Sequence, residues 1–388
     1  MCRFLPLVFL MLAAGLCAPA WAADPIRIGI SLGLSGRYAL PAEMHQRSYE
    51  LCQAETNDAG GVLGRPLAFI IEDDRGKAAE VARIYKSFTA GRADIIIAPY
   101  GSDLTSVASD IAEEGGYPML APGAAADGLW RRGYRNIIGV ITPASRYTVG
   151  ILGLASEHRM KRIALVHAGD AFSQEIAEGA RKWAPFLKFN RFVLDEELSA
   201  DAGDDPRMIA RIRAARAEVV VVAGYSGEAV RIRRALAEAG WMPPIFFATV
   251  GPSLPAWLTE LGPLGDKAFT TSIWEPPAER QNSASQEFSD AFTKRFGVAP
   301  SYHAAAAYAA CQIMIMALRK GGSLDRDRYR ETLFGMDVMT IIGRFLPDRS
   351  GMQTKRDDLV VQWIDGRKEI VWPDERRTAE PVFGGAKQ

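Results

Sequence analysis

Few residues in this chain could do chemistry, and their spacing suits binding better than reaction. The 388-residue sequence has four histidines, His45, His158, His167 and His303, scattered without metal-ligand spacing. Of its four cysteines, two fall in an apolar N-terminal run, and Cys52 and Cys311 remain without any CxxC pair. The one Asp-x-Asp, Asp325-Arg326-Asp327, opens a predicted helix, where acids complement the positive helix end. No HExxH occurs. No catalytic residue, metal site or cofactor is therefore assigned. His303, in Pro300-Ser301-Tyr302-His303, is the one candidate general base near a predicted ligand loop, and a plain helix-start histidine explains it more simply.

The stretch that does suggest chemistry is Ile95 to Ala125. A strand of buried type, Ile95–Ala98, runs into Pro99-Tyr100-Gly101. Ser102 then opens a helix, and a second short strand ends at Ala121-Pro122-Gly123. Two strand ends thus deliver a hydroxyl, a helix N-terminus and free backbone N–H groups to one place. Helix N-termini attract anions, and ligands of open α/β sheets sit beyond the carboxyl ends of the strands. That is half of a small-molecule site.

The elements that must position this site follow from the rest of the chain. Lysine plus arginine equals aspartate plus glutamate at 46 each, which gives no electrostatic case for nucleic acid or an anionic membrane. Residues 1–22 read as a secretion signal: Arg3, the apolar run Leu5–Leu16, and Ala20-Trp21-Ala22 as a small-x-small cleavage site. The run is too short for a span, and bulky Leu16 before Cys17 argues against a lipoprotein. A periplasmic protein is expected. In an oxidising compartment Cys52 and Cys311 could pair. Buried free thiols on apolar helix faces are the expectation.

Strands and helices then alternate. Ile26–Leu32, Leu67–Glu72 and Ile95–Ala98 read as strands, with helices at Ala42–Ala59, Lys77–Ala90 and Ser102–Glu114. After Thr142-Pro143 the pattern restarts: strands at Arg162–His167, Phe189–Leu194, Val219–Ala223 and Ile245–Ala248 between helices at Tyr147–Ser156, Ser173–Trp183, Pro206–Ala215 and Glu228–Ala239. Repeated βαβ units imply parallel sheets covered on both faces, in an α/β fold of two similar lobes. Helices near Ser285–Phe296, Tyr302–Arg319 and Asp325–Leu333 and strands near Leu359–Ile364 and Glu369–Trp372 follow. The apolar helix from Ala304 is shorter than a membrane span and contains Gln312, so it reads as core. The charged tail after Pro373 reads as loosely held.

The order of several segments resembles the type I periplasmic binding proteins of ABC importers, in the Leu/Ile/Val-binding branch. These are IRIGISLGLSG (26–36), ETNDAGGVLGRPL (55–67), the EDD at 72–74, GSDLTSVASDIAEEGGYPMLAPGAA (101–125), AGYSGEAVRIRRALAEAG (223–240) and YAACQ (308–312). The resemblance implies two Rossmann-like lobes joined by three crossovers, near Val140–Ala144, Thr271–Glu275 and Asp337–Ile342. Lobe 1 would comprise 23–141 and 273–337, and lobe 2 would comprise 142–272 and 338–388. It further implies a monomer that closes on a small molecule and hands it to the membrane subunits of an ABC permease, with no reaction. A sensory protein presenting its ligand to a membrane kinase is the alternative on the same fold, and a secreted enzyme is the other rival class.

The same resemblance nominates ligand residues. Ser102 matches the serine that binds a ligand carboxylate; Gly101 and Ala124 adjoin the matched positions. Gly123 and Ala125 match positions whose backbone faces the ligand. Tyr225 matches the second-lobe tyrosine. Phe172 stands where amino-acid binders often carry tyrosine, keeping an aromatic wall without the hydroxyl. Tyr38, Tyr100 and Trp274 lie on loops near the expected cleft or a crossover. Two departures bear on the ligand. The threonine and acidic positions that hold an ammonium look like Ala125 and Val250, and a buried ammonium without acceptors is costly. The lobe-one disulfide of the family has its positions at Gly76 and Gly101. The expected ligand keeps a carboxylate and lacks the ammonium, with an amino acid or an amide as the alternative. Asp103, one residue into the Ser102 helix, would favour a neutral ligand if it pointed inward.

Overall fold

The structure, a computed structural model, describes residues 23–187, 192–276, 283–353 and 358–385. The segment 1–22, expected from its sequence to be a secretion signal, lies outside the described residues.

The first lobe begins β1 (Ile26–Leu32), α1 (Ala39–Asp58), β2 (Leu67–Asp73), α2 (Ala78–Ser87), β3 (Ile95–Ile97), α3 (Ser102–Gly115), β4 (Met119–Ala121), α4 (Gly128–Arg131) and β5 (Ile137–Gly139). Its five strands form one parallel sheet in the order β2-β1-β3-β4-β5. Ile28, Ile30, Ile96, Ile97 and Leu120 are buried, as a sheet with helices on both faces requires. α1 stops at Gly60 and Gly61, which take the positive φ of 91° and 74° that end a helix cheaply at glycine.

The second lobe continues with α5 (Val149–Glu157), β6 (Ile163–His167), α6 (Ala171–Trp183), β7 (Leu194–Glu197), α7 (Asp205–Ala214), β8 (Val219–Ala223), α8 (Ser226–Glu238), β9 (Ile245–Ala248), α9 (Ala256–Leu261) and β10 (Ala268–Ser272). The chain then returns to the first lobe as α10 (Ser283–Phe296), α11 (Tyr302–Gly321), α12 (Arg326–Phe334) and the hairpin β11 (Val338–Thr340) and β12 (Gly343–Phe345). It ends in the second sheet with β13 (Leu359–Ile364) and β14 (Arg367–Trp372), so that sheet is ordered β14-β13-β10-β9-β8-β6-β7. Strands β6 to β10 pair in parallel, whereas β13 and β14 add an antiparallel edge.

Four expectations need correction. The third crossover lies later than Asp337–Ile342: Ile341, Ile342 and Phe345 join the first lobe's core, and the Gly139 amide donates to Gly351 O at 2.7 Å. Residues 338–353 therefore pack with the first lobe. The strand expected at Phe189–Leu194 starts only at Leu194, and residues 188–191 lie outside the described residues. The tail is held, because the Val382 amide donates to Gln362 Oε1 at 2.9 Å and Phe383 stacks on Phe269. Finally, Cys52 and Cys311 are bonded to each other, with a Cα–Cα separation of 6.6 Å. Alanines 304–307, 309 and 310 make α11 thin enough to lie close against α1, which brings the two thiols together.

Candidate functional site

Both sheets have their order reversal at the same kind of place. In the first lobe the chain goes β2-β1-β3, in the second β7-β6-β8, and ligands of doubly wound sheets collect at such points. Tyr38 follows β1 and Tyr100 follows β3; Phe172 follows β6 and Tyr225 follows β8. These four rings meet. Tyr38 and Tyr225 contact edge-on across the cleft at 5.0 Å between centroids, Tyr38 and Tyr100 at 5.8 Å, and Phe172 and Tyr225 at 5.2 Å. Tyr147, Tyr302 and His303 complete the aromatic wall, and Gly123 and Ala125 supply small lining positions. The cavity between them is only about 10 Å³, and Tyr100, Tyr147, Phe172, Tyr225, Tyr302 and His303 are all buried.

Four helices begin at this cavity: α3 beside Tyr100, α6 at Phe172, α8 beside Tyr225 and α11 at Tyr302. Their exposed N–H ends favour negative charge or ligand oxygen. Two of the ends are already served by acids. Asp170 accepts from the Ser173 amide at 3.0 Å, and Glu228 accepts from the Tyr225 amide at 3.0 Å. Asp103 stands in the first turn of α3. Its side chain is exposed at the rim rather than in the cavity lining. Partial desolvation and the like charge of Asp170 raise its pKa.

The Ile95–Ala125 stretch folds into the loop its sequence suggests, and Ser102 opens α3. Gly101 stands in the helix N-cap position, at φ 98°, with its amide donating to Gly123 O at 3.0 Å. A Cβ on Gly101 would sit 3.2 Å from the Tyr38 ring. One on Gly123 would collide with Tyr100 at 2.8 Å and His45 at 2.9 Å, so only glycine lets the rings pack so closely. Ser102 is buried in the first helical position. Its Oγ accepts from the amides of Ala125 at 3.2 Å and Ala126 at 3.1 Å, so the hydroxyl proton is what it can offer a ligand. Ala124 is buried next to this contact.

The structure does not bring every nominated residue to the cavity. Val250 is buried after β9 and accepts from the Ser253 amide at its carbonyl, outside the lining. Trp274 is farther from the site than its place near a crossover suggests. Its indole donates to Ser285 Oγ at 2.7 Å and its ring packs on Phe288, because α10 folds over it. Conversely, Tyr147 and Tyr302 line the cavity. Tyr302 could have been found as the first residue after the α11 helix-start serine, whereas Tyr147 carries no local signal.

Burial pushes the Tyr38 hydroxyl up to about 12. His45, behind Tyr100, is fully buried and pushed down to about 3 by desolvation. At the rim, Arg37 ion-pairs with Asp170 at 2.7 Å and Glu228 at 3.2 Å, and lies 4.5 Å over the Tyr225 ring. Burial opposes the charge on Arg37, but Glu228 and Asp170 outweigh it and raise its pKa. Among the described residues, no acidic side chain lines the cavity. No cluster of three or more His, Cys, Asp or Glu among them could hold a metal ion, and no helix is long and apolar enough to cross a membrane.

Comparisons with known proteins agree with this geometry. The chain is 23% identical to "Leu/Ile/Val-binding protein homolog 7" of Brucella suis, over 96% of this chain and 98% of that one. It superposes on the branched-chain amino acid transporter substrate-binding protein LivJ of Streptococcus pneumoniae in complex with isoleucine. There the TM-score is 0.81 at 22% identity, covering 90% of this chain and 100% of that one. It also superposes on an ABC transporter solute-binding protein of R. palustris in complex with benzoate. That match has a TM-score of 0.78 at 19% identity, covering 94% of this chain and 98% of that one. The family model described as "Periplasmic binding protein" matches residues 25–368, and the chain belongs to that family.

Proposed function

We propose that this protein is the solute receptor of an ABC importer, and that it binds a small aromatic or hydrophobic carboxylate between its lobes. The cavity carries the reading: rings from both lobes, the α3 N-terminus with the buried Ser102 hydroxyl bonded behind Ala125, and no lining carboxylate among the described residues. A carboxylate gains from the helix end and the hydroxyl. An ammonium would enter an apolar site lacking an anionic partner, at a cost of several kcal/mol. Asp103 at the rim leaves the cavity without an inward acid. The cavity of about 10 Å³ is far below the roughly 300–1,000 Å³ of ordinary small-molecule pockets, so the lobes part to admit the ligand and close around it.

The rival ligand is a branched-chain amino acid. The name of the Brucella relative and the isoleucine bound to the LivJ neighbour support it. The benzoate bound to the R. palustris neighbour supports the carboxylate. Calorimetric titration with benzoate, phenylacetate, leucine and isoleucine separates them. Tight binding of an aromatic acid with weak binding of leucine is expected. Tight leucine binding with no aromatic acid bound would remove the reading.

A further inference from the structure

We propose that the His303 imidazole is a second polar contact for the ligand, selecting aromatic carboxylates that carry a ring hydroxyl over the unsubstituted ring. This rests on the aromatic-carboxylate reading above and specifies it. His303 is 2% exposed and lines the cavity. Its Nδ1 lies 3.4 Å from Ser301 Oγ, whereas its Nε2 is buried with no hydrogen-bonding partner in the protein. The Ala125 amide, by contrast, already donates to Ser102 Oγ. Nε2 is thus a polar atom at the cavity that the protein itself leaves unpaired, at a place where buried polar groups are ordinarily satisfied.

The ring is held for this role. Tyr302 stacks on it at 3.9 Å and Tyr100 tilts against it at 5.6 Å. Burial above all keeps the imidazole neutral. A neutral imidazole does not call for a second carboxylate. Whether Nε2 donates or accepts depends on the tautomer that Ser301 selects, and a hydroxyl satisfies either one because it does both. Sites built to bond a hydroxyl discriminate strongly against the analogue without it, because the protein group is then left unpaired.

Calorimetry on the mature protein with benzoate, 3-hydroxybenzoate and 4-hydroxybenzoate tests this, alongside His303→Phe and His303→Gln. In the unmodified protein at least one hydroxybenzoate should bind about tenfold or more tighter than benzoate. His303→Phe should collapse that ratio below about threefold, and His303→Gln, which keeps a hydrogen-bonding end, should retain part of it. Should His303→Phe fail to fold by its melting curve, the unmodified protein and His303→Gln carry the test. Equal affinity for all three acids in the unmodified protein, or an unchanged ratio in His303→Phe, overturns the proposal while leaving the carboxylate reading intact. Leucine binding with none of the acids bound overturns both.

Discussion

The guanidinium of Arg37, on the loop after β1, reaches across the cleft to within 2.7 Å of Asp170, the residue that caps α6 in the opposite lobe. The same group meets Glu228 at 3.2 Å and covers the Tyr225 ring. One first-lobe cation thus touches the acids at the starts of two second-lobe helices. These contacts need the lobes to be together, so they belong to closure. Because Arg37 is partly exposed, each ion pair is worth only about 0.2–1 kcal/mol, and the cation–π contact about as much. Arg37→Gln should weaken ligand binding roughly three- to tenfold, by faster opening, and should flatten the salt dependence of the affinity. Equal affinity and equal salt slope in the variant, measured by calorimetry at two ionic strengths, would exclude Arg37 as a latch.

Ser102 Oγ accepts from the Ala125 and Ala126 amides, and under the proposed carboxylate reading its hydroxyl proton goes to the ligand. Ser102→Ala removes both at once. The loss should be about 1–3 kcal/mol of binding, or roughly 5- to 150-fold. Part of it should appear as lower thermal stability of the unliganded protein, because two buried amides lose their acceptor. A variant that loses stability but keeps its affinity would assign Ser102 to the loop alone.

The first-lobe half of the site was legible in the sequence because its signals are local. A strand, a Tyr-Gly turn and a helix-opening serine lie within a few residues, and Tyr225 and Phe172 repeat the pattern after β8 and β6. The residues that escaped depend on chain segments far apart. Tyr147 becomes a lining residue only because the first crossover bends it toward Phe172, at 5.5 Å. Trp274 sits on a crossover yet turns away, captured by Ser285 and Phe288 of a helix whose docking nothing nearby foretells. The hairpin at 338–345 is too short and too polar at Arg344 to announce which lobe it joins, and the packing of Ile341 and Phe345 decides it.

The Cys52–Cys311 bond links helices 259 residues apart in sequence, both within the first lobe. Cross-links over long loops restrict the unfolded chain most, and loss of a native disulfide commonly costs about 2–5 kcal/mol. Cys52→Ser with Cys311→Ser should therefore lower the melting temperature by about 5 °C or more while leaving ligand affinity within about twofold. Reductant should shift the unmodified protein the same way, slowly, since both sulfurs are buried. If reductant leaves the melting curve of the fully reduced protein unmoved, the bond contributes nothing to stability.

Acid should destabilise this protein earlier than its carboxylates alone would cause. His45 is held neutral by burial, with its pKa pushed down to about 3 and neither ring nitrogen hydrogen-bonded. His303 is depressed well below its ordinary value for the same first reason. In the unfolded chain each imidazole takes up a proton near pH 6.5. Between that pH and the folded value the unfolded state binds more protons, so stability rises with pH and falls as pH drops. The slope is about 1.4 kcal/mol per pH unit for each buried imidazole. The loss should begin near pH 6.5 and, for His45, be complete near pH 3. Replacing His45 by leucine, close in volume and with no nitrogen to leave unpaired, should reduce the slope between pH 6 and 4 by that amount. The check is urea unfolding at several pH values; equal slopes in the two proteins would mean that His45 titrates freely in the folded state, despite its burial behind Tyr100.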